Sequence, residues 1–182
     1  AGVIVSALFG SFISFVKYLA DPQDVLPAIT YWLLGSLEVN NIGQMLFSCV
    51  LVSLCVCVII FYRWKHNLLL LDEIEAKSLG LNVTKLRIIL ILVNTLMISS
   101  VVSLCGIISW VGLIIPHISR LLCGNNTAQI IPTSVFAGAL FMLFIDTVSR
   151  ALLSQEIPIS VLSAFVGAFL FLYILYRKGV NV

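Results

Sequence analysis

Long apolar runs separated by short polar islands set the pattern of this chain. Apolar residues dominate 1–20, 42–62, 83–105, 131–153 and 158–176. Each run approaches the ~20 residues that a bilayer core requires of a helix. None breaks into the alternating segments of about ten residues that mark a membrane β-barrel. The pattern predicts an all-α polytopic membrane protein with about five full spans or part-spans. A sixth stretch, 107–123, is shorter and interrupted by Pro116, His117 and Arg120. It reads as a short or broken crossing, which is tolerated only where other protein buries it.

The islands orient these spans. Lys17 stands near the end of the first run, where it can snorkel to the interface. Asp21-Pro22 stops that run, because Pro and the residue before it resist helix continuation. From there to Asn41 the chain carries Asp21, Asp24 and Glu38 but no Lys or Arg, and Tyr31 and Trp32 suit an interfacial belt. The next island begins Arg63-Trp64-Lys65-His66. Between Arg63 and Arg87 it holds five basic residues (Arg63, Lys65, Lys77, Lys85, Arg87) against three acids (Asp72, Glu73, Glu75). The positive-inside rule places this loop in the cytoplasm and the acidic segment outside. Arg177-Lys178 should place the C-terminus in the cytoplasm too. That requires an even number of crossings after the loop, so 107–123 is counted as one of them.

The most charged piece of the chain is Asp72-Glu73-Ile74-Glu75-Ala76-Lys77-Ser78-Leu79-Gly80. Asp72 and Glu75 have the spacing of a capping box. Gly80 falls where a helix of about two turns needs a left-handed C-terminal residue. A short helix lying at the surface within 67–82 is a docking element.

Composition sharpens this picture. The hydrophobic fraction is 61%, the charged fraction 10% and the mean hydropathy +1.16. Soluble domains run near 45–50% apolar and about 25% charged, so a soluble domain is excluded. The five cysteines (49, 55, 57, 105, 123) lie in or beside apolar runs and read as small core residues. The chain opens on Ala1-Gly2-Val3 with neither Met nor a basic n-region, as expected of a chain that begins inside a larger protein and not of a signal peptide.

Enzyme signatures are missing: no Gly-x-Ser-x-Gly elbow, no His-Glu-x-x-His and no phosphate-cradling Gly-rich loop with Lys. No catalytic residue is assigned, and no cofactor is expected on this chain. His117 has no second ligand at metal spacing. Its expected role is to satisfy the backbone carbonyl that Pro116 frees. Ser134 and Gly138, and Ser160, Ala164 and Ala168, form small-residue faces suited to close helix contact. Asp146 and Arg150 stand four apart and can pair, either as an interfacial ion pair or as a functional group at membrane depth.

Several of these pieces together resemble one family. They are Gly2-Val3-x-Val5-Ser6-Ala7, Trp32-Leu33-Leu34-Gly35-Ser36-Leu37, Glu75-Ala76-x-x-Leu79-Gly80, Val111-Gly112-Leu113-x-x-Pro116-His117-Ile118-x-Arg120, Asp146-x-x-x-Arg150 and Ile157-Pro158-x-x-Val161. In this order they look like the C-terminal half of the FecCD permeases, type II ABC importer subunits for iron–siderophores, haem and vitamin B12. The likeness covers essentially the whole chain and implies that the N-terminal half, about five helices, is absent.

It also implies a homodimer in the bacterial inner membrane, working with an ABC ATPase subunit that carries ATP and Mg and with a substrate-binding protein. No nucleic-acid partner is implied. By residue, it carries ATPase coupling to Asp72, Glu73, Glu75, Ala76, Leu79 and Gly80, and binding-protein docking to Arg150 with Asp146 orienting it. Ser6, Ala7, Gly10, Ser11 and Ser14 are expected to line the translocation pathway or to pack against another helix. The alternative is a secondary transporter or channel subunit independent of an ATPase, where broken crossings also occur.

Overall fold

The computed structural model describes residues 2–39, 41–152 and 157–179. Among these the order is α1 (Gly2–Leu19), α2 (Val25–Leu34), α3 (Ile42–Phe61), α4 (Arg63–Leu68), α5 (Glu73–Ser78), α6 (Val83–Cys105), α7 (Val111–Cys123), α8 (Thr127–Leu152) and α9 (Ile159–Gly179). α1, α3, α6 and α8 are long and apolar enough to cross a membrane, and the apolar part of α9 covers Ile159–Ile174. α7, with 13 residues, is about 20 Å long against a hydrocarbon core of about 30 Å. The chain is a multi-pass membrane protein.

Lipid as solvent inverts the usual burial. Large apolar side chains such as Phe136, Leu140 and Phe144 face outward. Tight contact inside instead relies on small and hydroxyl residues. Ile114, Ile145, Ser119 and Ser163 are the largest fully buried side chains among the described residues. Ser119 Oγ donates to the Ile115 carbonyl at 2.9 Å and accepts from Ser134 Oγ at 2.9 Å, which stitches α7 to α8. Ser163 Oγ donates to the Ser109 carbonyl at 3.2 Å, which ties α9 to the approach of α7. Ser119 and Ser163 thus have the partners that a dry interior demands, while Ser100 Oγ on α6 is buried without one.

α3 pairs along α6, while α7, α8 and α9 pack together. α1 has no buried residue. Its Phe9, Phe12, Ile13 and Val16 edge faces Ala28, Ile29, Trp32 and Leu33 of α2 across an apolar cleft.

The acidic segment 21–41 holds a helix that the run of acids concealed. Val25-Leu26-Pro27-Ala28-Ile29-Thr30-Tyr31-Trp32-Leu33-Leu34 forms α2 and packs against α9. Pro27 falls in its first turn, where a missing N–H costs nothing. α2 ends at a junction of two glycines. Ser36 N–H donates to the Cys105 carbonyl at 3.0 Å, and Ile159 N–H to the Gly35 carbonyl at 3.2 Å. Gly35 (φ 74°) and Gly106 (φ 71°) both adopt positive φ, and a Cβ on Gly106 would overlap the Trp32 carbonyl oxygen. Only glycine provides both the conformation and the approach. The ends of α2 and α6 and the start of α9 therefore meet at one point.

Further details differ from expectation. α8 starts at Thr127, not residue 131, while Leu153 lies outside the described residues. Of the cysteines only Cys55 is buried; Cys49 and Cys57 face outward. A thiol is apolar enough for lipid as well as for protein. His117 makes no hydrogen bond among the described residues, and its ring lies 5.9 Å from that of Phe171. Its role is packing between α7 and α9. On α9 the closest approach falls at Ser163 and Gly167, while Ala164 and Ala168 are half-buried beside it.

Candidate functional site

α4, α5 and the start of α6 cluster at one end of the bundle. α5 begins where the Asp72 carbonyl accepts from Ala76 N–H at 3.0 Å. No capping box forms: Asp72 makes no side-chain cap bond, and the Glu75 side chain has no hydrogen-bond partner among the described residues. Both carboxylates are exposed and remain hydrated, so the spacing alone did not decide the local structure. The side chain of Glu73 lies outside the described residues.

The other end of α5 is tightly specified. Leu81 N–H donates to the Ala76 carbonyl at 3.2 Å and Gly80 N–H to the Lys77 carbonyl at 3.0 Å, with Gly80 at φ 77°. This is the Schellman closure, which turns the chain sharply into the next element. Ala76, 1% exposed, is pressed into the bundle, while Ile74 (85%) and Leu79 (62%) project outward. α5 is thereby seated by one methyl group and presents an apolar and acidic face.

α4 braces this end against α8. Asn67 Nδ2 donates to Asn126 Oδ1 at 2.9 Å, and Asn67 Oδ1 accepts from Thr127 N–H at 3.0 Å. Next to it His66 has a buried, unpartnered Nε2, and burial pushes its imidazole pKa below the usual histidine range. Ile74, Asn67, Asn126 and His66 were not singled out by sequence reasoning. An apolar residue set among the acids of a surface helix was the available signal for Ile74; nothing local pointed to the asparagine pair.

The remaining predicted residues lie elsewhere. Near the far end of α8, Arg150 Nε donates to both Asp146 carboxylate oxygens, at 3.1 and 3.2 Å. The Arg150 side chain stays 45% exposed. Ser6, Ala7, Gly10, Ser11 and Ser14 form one exposed stripe on α1. Ser11 Oγ and Ser14 Oγ turn back to the Ala7 and Gly10 carbonyls, each at 2.9 Å, so the stripe presents methylene and backbone more than free hydroxyl. Among the described residues no three His, Cys, Asp or Glu side chains gather as a metal site would need.

A model of the FecCD transport family matches residues 1–177. The chain belongs to the FecCD transport family. The FecCD relatives include the molybdate import system permease protein MolB of Haemophilus influenzae, 42% identical over 99% of this chain and 54% of its own length. The vitamin B12 import system permease protein BtuC of Vibrio vulnificus is 36% identical over 97% of this chain and 53% of its own. The hemin transport system permease protein HmuU of Yersinia pestis is 31% identical over 98% and 53%. The chain spans about half the length of these FecCD relatives. A solved structure assigned to the metal-chelate type of ABC transporter, in an inward-facing conformation, superposes with a TM-score of 0.93 at 41% identity, over 97% of this chain and 57% of that one. These relatives are named as transport permeases, not enzymes.

Proposed function

We propose that the chain is the C-terminal part of the permease subunit of an ATP-driven importer. The observation that carries this reading is α5: a short helix seated by Ala76, closed by Gly80 and directing Ile74, Glu75 and Leu79 away from the bundle. Such a surface suits a cleft on a separate ABC ATPase, which would bind ATP and Mg. The five basic residues between Arg63 and Arg87 argue for a cytoplasmic position of this end, in a bacterial inner membrane. Asp146 and Arg150, at the other end of α8, then face the side from which a substrate-binding protein delivers cargo. A second copy of the permease completes the dimer, and the small face of α1 borders the pathway. The names of the FecCD relatives argue against a transporter that works without an ATPase.

The cargo on this reading is a metal chelate, of the iron–siderophore, haem or cobalamin kind. The 42% identity to a molybdate permease favours a second reading, a metal oxyanion. Calorimetry on the cognate binding protein with molybdate, a ferric siderophore, haem and cobalamin separates the two.

The coupling role is tested in the full-length permease reconstituted with its ATPase and binding protein. Glu73→Lys with Glu75→Lys is expected to abolish transport and reduce ATPase co-purification; intact coupled transport would overturn the assignment. Arg150→Glu is expected to weaken binding-protein affinity, and unchanged affinity would remove Arg150 from docking.

A further inference from the structure

A second feature stands at the α4–α5 end, bordered on one side by Gly80 and Leu81 at the close of α5. Tyr62, Lys65, Asn82, Lys85, Leu86 and Ile89 line an open cleft of about 230 Å³ between the end of α3 and the start of α6. Neither lysine pairs with a carboxylate among the described residues. Lys65 Nζ instead stands 5.2 Å from the centroid of the Tyr62 ring. Asn82 Oδ1 accepts from Lys85 N–H at 3.0 Å and caps α6. Asn82 Nδ2 and the Tyr62 hydroxyl make no hydrogen bond among the described residues. Two uncompensated cations and two unused donors thus line one cleft, and the positive end of the α6 dipole adds to their field.

We propose that this cleft binds the headgroup of an anionic phospholipid. Lys65 and Lys85 supply the charge, while Asn82 and Tyr62 supply hydrogen bonds to phosphate oxygens. Its position favours lipid over a soluble phosphate. Tyr62 caps the end of one membrane helix and Asn82 the start of another, so the cleft stands at headgroup level. Leu86 and Ile89 carry its wall along α6 into the apolar span, where an acyl chain would lie. Basic pockets between membrane helices bind acidic headgroups by this combination. The volume lies below the roughly 300–1,000 Å³ of small-molecule sites, which fits a headgroup better than a chelate. The site depends on the membrane placement of α3 and α6 and holds whichever cargo the transporter carries.

The test uses the full-length permease assembled with its ATPase, with bound lipid read by native mass spectrometry. Cardiolipin and phosphatidylglycerol are offered against phosphatidylcholine. The wild type is expected to retain the anionic lipids. Lys65→Gln with Lys85→Gln is expected to lose this retention about thirtyfold, from roughly one lysine's surface attraction each. Arg63→Gln with Arg87→Gln removes equal charge outside the cleft and is expected to retain most of it. Equal loss in the two double variants, or no loss in the first, would overturn the proposal. Release of the lipid by millimolar inorganic phosphate would also overturn it and identify a soluble anion as the ligand. If the lysine pair fails to assemble, Lys85→Gln alone is expected to lose about fivefold, and unchanged retention there has the same consequence.

Discussion

Asn67 and Asn126 hydrogen-bond to each other across 59 residues of chain, Nδ2 to Oδ1 at 2.9 Å. The two divide the N-terminus of α8 between them: Asn126 Oδ1 takes the Ala128 N–H at 3.0 Å and Asn67 Oδ1 the Thr127 N–H at 3.0 Å. A helix start left without such acceptors carries orphan donors. Asn67→Ala is therefore expected to cost about 1–2 kcal/mol, read as a lower melting temperature of the purified full-length permease. Asn67→Asp keeps the acceptor for the Thr127 N–H but turns the bridge donor into a carboxylate oxygen facing Asn126 Oδ1, so it should not restore wild-type stability. An unchanged melting temperature in Asn67→Ala would show that the bridge does not stabilise α8.

Gly167 sets the contact between α7 and α9. A Cβ there would overlap Ile114 Cδ1 and lie 3.0 Å from Trp110 Cβ. Trp110 itself adopts φ 69°, an unusual conformation for a bulky side chain, at the start of α7. Gly167→Ala is expected to destabilise by about 1–3 kcal/mol through overpacking. Ile114→Val deletes the Cδ1 in the way, so the double variant should cost less than the sum of the singles. Denaturant or thermal unfolding of the three variants reads the coupling directly; strict additivity would deny the contact.

These two contacts also mark where the amino-acid sequence stops being legible. Hydropathy located α3 and α6 because a bilayer demands unbroken apolar length, and Gly80 was legible because backbone chirality leaves few residues for its conformation. α2 was not, since its ten mostly apolar residues sit between acids and are too few for a span. Asn67 stood as one polar residue in a polar island, and its partner lies far along the chain. The small residues of α9 were visible, but which of them meets α7 depends on helix rotation, which neighbours decide. The Asp72–Glu75 spacing matched a capping box that exposed carboxylates had no need to form. For the site, chemistry at the surface of α5 was readable and the bracing beneath it was not.

Gly80 offers a cleaner measurement of the proposed coupling element. Nothing lies within 4 Å of a Cβ built on it, so a substitution there meets only the cost of its φ of 77°. Gly80→Ala is expected to cost about 1–2 kcal/mol, and Gly80→Asn less, because Asn tolerates this region. Coupled ATPase activity of the assembled transporter should follow the same order: Gly, Asn, Ala. Equal activity in all three would separate the closure of α5 from coupling.

His66 carries a pH dependence with a definite sign. Its Nε2 is buried without a partner, and desolvation lowers its pKa by disfavouring the charged ring. The unfolded chain, with a histidine near pKa 6.5, then binds more protons than the folded one in the window below that value. Stability rises with pH wherever the unfolded state holds more protons. The contribution is fully present above about pH 6.5 and is lost as pH falls through the lower folded pKa. Melting temperature of the full-length permease should accordingly drop between pH 7.5 and 5.5 by more in the wild type than in His66→Gln. An identical pH slope in both proteins would mean that His66 titrates as freely in the folded state as in the unfolded one.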